Sequence, residues 1–168
     1  LYLHAGTNLY YFTGLEWNPS ERMVAGVIPA SGDPYYVCPG FEIDTLKDYW
    51  NIPGEVVTWQ EHEVPGKILN QSLADRGVAS GKLLVDPMTP FFILDGMRNN
   101  LSKEIQCEIA TPLVDMTRGR KTASELALIK RSHEITAEVI KAAASILKPG
   151  IATTEVGKFI NQAHQKTA

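Results

Sequence analysis

His133 and Glu134 are adjacent residues in a segment with helical periodicity. They match the first two residues of the zinc-protease pattern HExxH, which also lies on a helix. In that pattern a second histidine follows one helical turn later, and the glutamate acts as a general base. Position 137 is Ala137, which offers no ligand. The pattern is incomplete, and we interpret His133 as an ordinary helix residue.

Two carboxylates flank an imidazole in the segment EHE at positions 61–63. Glutamate and histidine side chains are common metal ligands, but they must converge on one point. In an extended segment Glu61 and Glu63 share one face while His62 lies on the other. The sequence therefore predicts a solvated strand end here and no metal site.

The segment GVASGK at positions 77–82 has some features of a phosphate-binding loop. Such a loop needs four residues between its glycines, a Ser or Thr after the lysine, and a preceding strand. Here three residues separate the glycines, and Leu83 follows the lysine. We expect no nucleotide site. His4 and His164 likewise have no neighbours at metal-ligand spacing.

The polar loop EWNPSER, at positions 16–22, carries the candidate recognition residues. Trp17 offers a large aromatic surface. Glu21 and Arg22 add charges beside a predicted strand, so the loop is suited to contact a peptide or a partner. Two other interpretations remain open. The loop is simply solvated, or Glu21 and Arg22 form a structural ion pair where the next hairpin begins.

The elements that must position these residues alternate between strand and helix up to about residue 117. Strands are predicted at LYLHAG (1–6), RMVAGVIP (22–29), PYYVCP (34–39), EVVTW (55–59), KLLVD (82–86) and EIQCEIA (104–110). The second and third of these flank a turn and predict a hairpin. Helices are predicted at 40–50, 65–78 and 89–101, the last with Pro90 at its first position. This alternation predicts an α/β fold with a mixed sheet flanked by helices.

After Arg118 the pattern is helical only. Thr122 and Glu125 predict a capping box, and a second helix follows Thr153. The two apolar stripes need a partner surface, and the remaining sequence predicts no sheet to supply it. We therefore expect exposed apolar surface on helices 122–148 and 154–166, which would either pack on a neighbouring copy or fray.

The charge changes sign along the chain. Residues 1–117 hold 7 Lys or Arg against 15 Asp or Glu, a net charge of −8, and residues 118–168 hold 9 against 4, a net charge of +5. The basic residues are spread along helices and do not form a run. The change predicts a boundary between domains 1–117 and 118–168, and no nucleic-acid partner.

Membrane and secretory signals are absent from the sequence. No apolar run reaches the length of a membrane span, and no signal-peptide pattern occurs. Cys38 and Cys107 lie far apart and form no CxxC pair, which favours reduced thiols in the cytoplasm. The chain begins at Leu1 and not at a methionine, so we expect that N-terminal residues precede it.

Four ordered segments together resemble one family. NLYYFTGL (8–15) is similar to the N-x-x-Y-x-T-G segment of the prolidase, aminopeptidase P and creatinase family. ERMVAGVIPASGDPYYVCPGFE (21–42) resembles its hairpin, and WQEHEVP (59–65) resembles its W…E…P segment. RGRKTASELALIKRSHEIT (118–136), followed by LKPGIATTEV (147–156), resembles the junction that opens its catalytic domain.

This resemblance implies a creatinase/prolidase-type N-terminal domain at 1–117, ribonuclease H-like in fold. Two helices of a truncated α+β pita-bread domain follow at 118–168. It implies a metal-dependent Xaa-Pro peptidase of the aminopeptidase P or prolidase type, with two divalent metal ions (manganese, cobalt or zinc) in the full-length protein.

The metal ligands of the family would lie beyond this chain, which alone would hold no catalytic residue. The resemblance also implies a homodimer and a proline-containing peptide substrate, and it favours Trp17, Glu21 and Arg22 as substrate-binding residues. A creatinase-like amidinohydrolase and a non-catalytic peptide-binding relative remain alternatives.

Overall fold

The computed structural model describes residues 1–167, so Ala168, the last residue of the predicted second domain, lies outside it. The chain divides into two compact units, Leu1–Thr117 and a second unit that begins at Arg118. Each unit is described by itself below. Assigning the second unit to a pita-bread domain stays a prediction.

Six strands form the sheet of the first unit, and helices follow most of them. The strands are β1 (Tyr2–His4), β2 (Ala25–Val27), β3 (Tyr35–Pro39), β4 (Glu55–Trp59), β5 (Gly81–Val85) and β6 (Ile105–Ile109). The helices are α1 (Thr7–Thr13), α2 (Ile43–Tyr49), α3 (Pro65–Asp75), α4 (Phe91–Arg98) and α5 (Thr111–Gly119), with a 3₁₀ turn at Gly40–Glu42. Each predicted strand is present, although most are shorter than expected.

The strand order across the sheet is β4-β3-β2-β1-β5-β6. Antiparallel pairing joins β1 to β2 and β2 to β3, the latter through the predicted hairpin. Parallel pairing joins β3 to β4, β1 to β5, and β5 to β6. The predicted mixed sheet flanked by helices is confirmed. The carboxyl ends of β1, β3, β4, β5 and β6 therefore lie at one end of the sheet, together with the start of β2.

Alternation along the strands divides the apolar side chains between two layers. Tyr2 lies in the layer that contains Leu69 of α3 and Met97 of α4. Leu3, the next residue, lies in the opposite layer with Leu9 of α1 and others. All five of these side chains are fully buried. Burying one large aliphatic side chain contributes about 1.5–3 kcal/mol, so the two layers supply much of the driving force for folding.

Two helix predictions need correction. Pro90 was expected at the first position of α4, but it precedes the helix with an extended ψ of 143°. Its carbonyl instead accepts the first helical hydrogen bonds, from Ile93 N and Leu94 N. Helix α5, at Thr111–Gly119, was not predicted at all. The helix has nine residues, of which only Val114 is buried, and it is shorter than the window of about 11–18 residues over which helical periodicity is usually recognised.

The second unit contains helices α6 (Ala123–Ser145) and α7 (Thr153–Thr167). The predicted capping box is confirmed, because Glu125 N donates to Thr122 Oγ1 at 3.2 Å and Thr122 N donates to Glu125 Oε2 at 2.7 Å. Apolar side chains on α6 and just after it are exposed, as expected; they include Leu126, Leu128, Ile140 and Leu147. On α7 the expected exposure is not found, because Val156, Phe159 and Ile160 are partly buried. Among the described residues, no helix is both long and apolar enough to cross a membrane.

Candidate functional site

The carboxyl end of the sheet brings charged and aromatic side chains from three separate segments together. The loop between α1 and β2 supplies Arg22, the turn after β3 supplies Phe41, and the turn after β4 supplies Glu61. Ligands of open α/β sheets commonly bind outside the carboxyl ends of the strands. This cluster, which we call the Arg22 cluster, is therefore the candidate site. It comprises Glu21, Arg22, Phe41, Glu42 and Glu61.

Arg22 is held by two carboxylates and one aromatic ring. Its Nε donates to Glu61 Oε1 at 2.9 Å, and its Nη1 pairs with Glu21. The guanidinium carbon lies 5.4 Å from the centre of the Phe41 ring. The hydrogen bond that Arg22 donates to Glu61 raises the pKa of Arg22, so the guanidinium stays charged. The Glu21–Arg22 ion pair, one of the interpretations left open by the sequence, is present.

Glu42 adds a third carboxylate to the Arg22 cluster. Its Oε2 is buried and has no hydrogen-bond partner within residues 1–167. Burial raises the pKa of Glu42, and the nearby Arg22 partly offsets this effect. With all three carboxylates ionised, one positive and three negative charges meet here. The cluster therefore presents a net negative surface beside an exposed aromatic ring.

The structure places Trp17 differently from the two charged residues of its loop. Trp17 is partly buried and packs against the apolar layer that contains Leu3, Leu9 and Leu15. Its contacts fasten the loop to the sheet, whereas Glu21 and Arg22 form the charged part of the site.

The interpretation of EHE as an extended segment is wrong. Residues 61–63 form a turn that leads into α3. Glu61 turns toward Arg22, while Glu63 Oε2 accepts a hydrogen bond from Gln60 N at 2.7 Å. His62 is exposed. Glu61, which the sequence analysis places in solvent, is thus part of the candidate site. Its ion pair with Arg22 joins residues 39 positions apart in the sequence, so it is seen only in the tertiary structure.

Other groups considered in the sequence are not brought together. His133 is exposed on α6, and Glu134 lies 3.8 Å from Arg131 in an ion pair. In GVASGK, Gly77 follows the end of α3 and Gly81 begins β5, so the segment leads from a helix into a strand and does not open a helix. Cys38 and Cys107 are free thiols. Residues 1–167 contain no group of three His, Cys, Asp or Glu side chains arranged to hold a metal ion.

Sequence reasoning missed a buried polar group at the ends of the central strands β1 and β5. Asp86, directly after β5, is buried, and its Oδ1 accepts hydrogen bonds from Asn8 Nδ2 and Met88 N, both at 2.8 Å. His4, at the end of β1, is fully buried. Its Nδ1 lies 3.3 Å from Tyr2 Oη. The only signal in the sequence was a polar residue at the end of each apolar strand.

Burial should make the folded first unit sensitive to acid through His4. Desolvation lowers the pKa of His4 below its ordinary value of 6.5, and the neighbouring Asp86 charge opposes this only in part. Below pH 6.5 the unfolded chain then binds a proton that the folded chain binds less readily. The contribution of neutral His4 to the free energy of unfolding is fully present above pH 6.5, and it is lost as the pH falls below 6.5.

When the pH is lowered from 7 to 5, we expect the urea midpoint of unfolding to decrease more in the unmodified chain than in His4→Gln, whose side chain cannot titrate. Tryptophan fluorescence is a suitable probe because Trp17, Trp50 and Trp59 all lie in the first unit. Equal falls in the two proteins would show that His4 does not contribute.

Comparison with known proteins gives a family match. The model of the "Creatinase/Prolidase N-terminal domain" matches residues 1–119. The YkvY protein of Bacillus subtilis (strain 168), a dipeptidase by name, is 28% identical over 157 residues. That match covers 93% of this chain and 39% of YkvY, so the chain spans well under half of its relative.

Solved structures share the fold at low sequence identity. Dipeptidase PepE from Mycobacterium ulcerans superposes with a TM-score of 0.87 at 24% identity, covering 99% of this chain and 44% of that one. A recombinant prolidase from Thermococcus sibiricus superposes with a TM-score of 0.80 at 23% identity, covering 98% of this chain and 44% of that one. Both similarities extend over both compact units of the chain.

Proposed function

The chain belongs to the creatinase/prolidase N-terminal domain family, and from that premise we propose that it is part of an Xaa-Pro peptidase of the aminopeptidase P or prolidase type. In this proposal the first unit shapes the substrate cleft and contributes to a homodimer interface. In the same proposal, the catalytic residues lie in the rest of the protein. The dipeptidase and prolidase names of the similar proteins support this assignment.

The observation that carries the proposed substrate role is the Arg22 cluster. It gathers an exposed ring, a fixed guanidinium and three carboxylates at the sheet end where α/β proteins commonly bind ligands. Phe41 is 61% exposed and offers a flat apolar surface for a proline ring. The carboxylates suit the ammonium group of a short peptide. We assign substrate contact to Glu21 and Arg22, with Trp17 holding their loop in place.

Exposed ion pairs contribute only about 0–1 kcal/mol to stability. The Arg22–Glu61 pair is partly exposed, since the two side chains retain 35% and 59% of their accessible surface. The ion pairs of Arg22 with the two carboxylates therefore contribute little to the stability of the fold. This small contribution to stability favours recognition, and not support of the fold, as the role of the cluster.

The metal ions implied by the family have no ligand set among the described residues. Residues 1–167 offer no suitable group of three ligands, so we derive no catalytic step through a metal. We propose that two divalent ions, manganese, cobalt or zinc, act in the complete protein through other residues. The proposal also places the protein in the cytoplasm, where free thiols such as Cys38 remain reduced.

The proposed activity can be tested on the complete gene product supplied with manganese or cobalt. We expect cleavage of peptides with proline in the second position, and no cleavage of matched peptides with alanine there. Failure to cleave any Xaa-Pro peptide would overturn the proposal. Turnover of creatine without peptide cleavage would favour an amidinohydrolase. Peptide binding without turnover of either substrate would favour a non-catalytic relative.

The substrate role of Arg22 predicts a defect in binding. Lysine keeps the charge but cannot donate to two carboxylates in a fixed plane while stacking on Phe41. In the complete protein we expect Arg22→Lys to raise KM for an Xaa-Pro peptide by about tenfold, with kcat changed by less than about twofold.

A matched control is Lys82→Gln, which removes an exposed ion pair with Glu108 (2.8 Å) on β5 and β6. We expect its KM to stay unchanged. If Arg22→Lys also left KM unchanged, the cluster would have no part in substrate binding.

A further inference from the structure

A cavity of about 220 Å³ lies between α4 and the carboxyl ends of β5 and β6. Leu94 of α4 forms part of one wall, and Val85 of β5 and Ile109 of β6 form part of the other. Ile109 is exposed, so the cavity opens to solvent on this side. The sheet order places β1 and β2 between this cavity and the strands β3 and β4. The cavity is therefore separate from the Arg22 cluster.

The volume of the cavity limits its ligand to a small molecule. Pockets for drug-sized ligands usually measure about 300–1,000 Å³, whereas an apolar cavity of about 150 Å³ accommodates benzene. On that scale the cavity accommodates a compound of about eight or nine heavy atoms. The apolar walls suit a hydrocarbon body, and Leu94 and Cys107 pack against the apolar layer that contains Tyr2.

Arg98, the last residue of α4, supplies a positive charge to the cavity. Burial raises the pKa of the Cys107 thiol, and the Arg98 guanidinium beside that thiol opposes this effect. None of the ion pairs within residues 1–167 involves Arg98. A guanidinium presents N–H donors in a plane that matches a carboxylate. The charge at this end of the cavity therefore complements a carboxylate ligand.

Thr89, in the turn after β5, supplies a hydroxyl without a partner. Its Oγ1 is buried and has no hydrogen-bond partner within residues 1–167. The Thr89 N–H donates to Asp86 O at 3.0 Å, so the turn holds this residue in place. Buried polar groups are nearly always paired with protein or water. A ligand oxygen that bonds to this hydroxyl would remove the penalty of leaving it unpaired.

The two polar groups lie toward opposite ends of the cavity. Arg98 lies beside Cys107 in the middle of β6. Thr89 follows the end of β5, where Val85 pairs with Ile109. Cys107 and Ile109 are two residues apart on one strand, a distance of about 7 Å. A chain of about six carbons has this length and can reach both groups.

We propose that this cavity binds a small carboxylic acid of about six carbons, with its carboxylate on Arg98, its hydrocarbon body against Leu94, and an oxygen at its far end bonded to the Thr89 hydroxyl. The site lies outside the proposed substrate site and does not depend on peptidase activity.

The charge of the ligand is tested by NMR titration of the chain with hexanoate and with hexanamide, which has the same size and no charge. The amides of Cys107 and Thr89 report binding at the two ends of the cavity. We expect hexanoate to bind at least about fivefold more tightly than hexanamide, and Arg98→Gln to abolish this preference. The exposed position of Arg98 makes the variant compatible with the fold. Lys82→Gln, which removes an exposed charge from β5, should retain the preference.

The far end of the ligand is tested with 6-hydroxyhexanoate. We expect it to bind at least about threefold more tightly than hexanoate, and Thr89→Val, which removes only the hydroxyl, to abolish this difference. Equal affinity of the two acids would assign the Thr89 hydroxyl to ordered water and overturn that contact. The absence of a saturable shift at Cys107 and Thr89 with about 20 mM of either acid would overturn the whole proposal. So would equal affinity for hexanoate and hexanamide.

Discussion

Replacing Gly66 with alanine is expected to lower the free energy of unfolding of the first unit by about 1–3 kcal/mol. Gly66 lies at the start of α3, where it meets α4. A Cβ atom at this position would lie 2.5 Å from the carbonyl oxygen of Gly96 and 3.1 Å from its carbonyl carbon. These are backbone atoms, so they cannot rotate away as a side chain can, and the two helices must separate.

Gly96 is a matched control for Gly66 on the facing helix. A Cβ atom at Gly96 would meet no atom within 4 Å. Alanine is favoured over glycine in a helix interior by about 0.8–1 kcal/mol, so Gly96→Ala should be neutral or stabilising. The two substitutions add the same methyl group on either side of one helix contact, but only Gly66→Ala should lower the free energy of unfolding.

Urea unfolding followed by tryptophan fluorescence measures both variants in the first unit. A Gly66→Ala midpoint equal to that of the unmodified chain would show that α3 and α4 can shift without loss. A large loss in Gly96→Ala would contradict the open space beside that residue. Either result would require a different packing of the two helices.

Replacing Asp86 with alanine is expected to cost about 3 kcal/mol, because it removes an ionised acceptor of two hydrogen bonds from a buried position. Asp86 is 3% exposed and joins Asn8 of α1 to the backbone at Met88. Asn8 is itself 4% exposed. Its bond to Asp86 Oδ1 would be lost, and the Met88 N–H would also lose this partner.

Asp86→Asn separates the hydrogen bond from the charge. Asparagine can accept the same two bonds through its amide oxygen, so we expect it to retain more than half of the stability lost in the alanine variant. The measurement is again the urea midpoint at pH 7. Equal destabilisation by the two substitutions would show that the charge of Asp86, and not its acceptor oxygen, stabilises this region.

Local sequence patterns predicted most of the secondary structure correctly. β-branched and apolar runs between turn residues marked all six strands, and Thr122 with Glu125 marked the start of α6. These signals work because capping and alternation depend on residues close together in sequence. Helix α5 escaped prediction because its nine residues are fewer than the window over which helical periodicity is recognised. The exact start of α4 was missed because Pro90 fits both just before and just inside a helix.

The candidate site was predictable only in part, for a related reason. Glu21 and Arg22 are neighbours in sequence, so their ion pair could be anticipated. Glu61 was assigned to solvent because its partner lies 39 residues away. Phe41 and Glu42 were not considered as site residues. They reach Arg22 only because β3 lies beside β2 in the sheet order.

By itself, the sequence determined the alternation of elements, the change near residue 118 and the resemblance to one family, since each depends on local order along the chain. Only the tertiary structure decided which polar groups meet. Asn8 and Asp86, 78 residues apart, are joined because β1 and β5 are parallel neighbours in the sheet. Strand order is set by the packing of two apolar layers on the whole sheet, and no single segment encodes it.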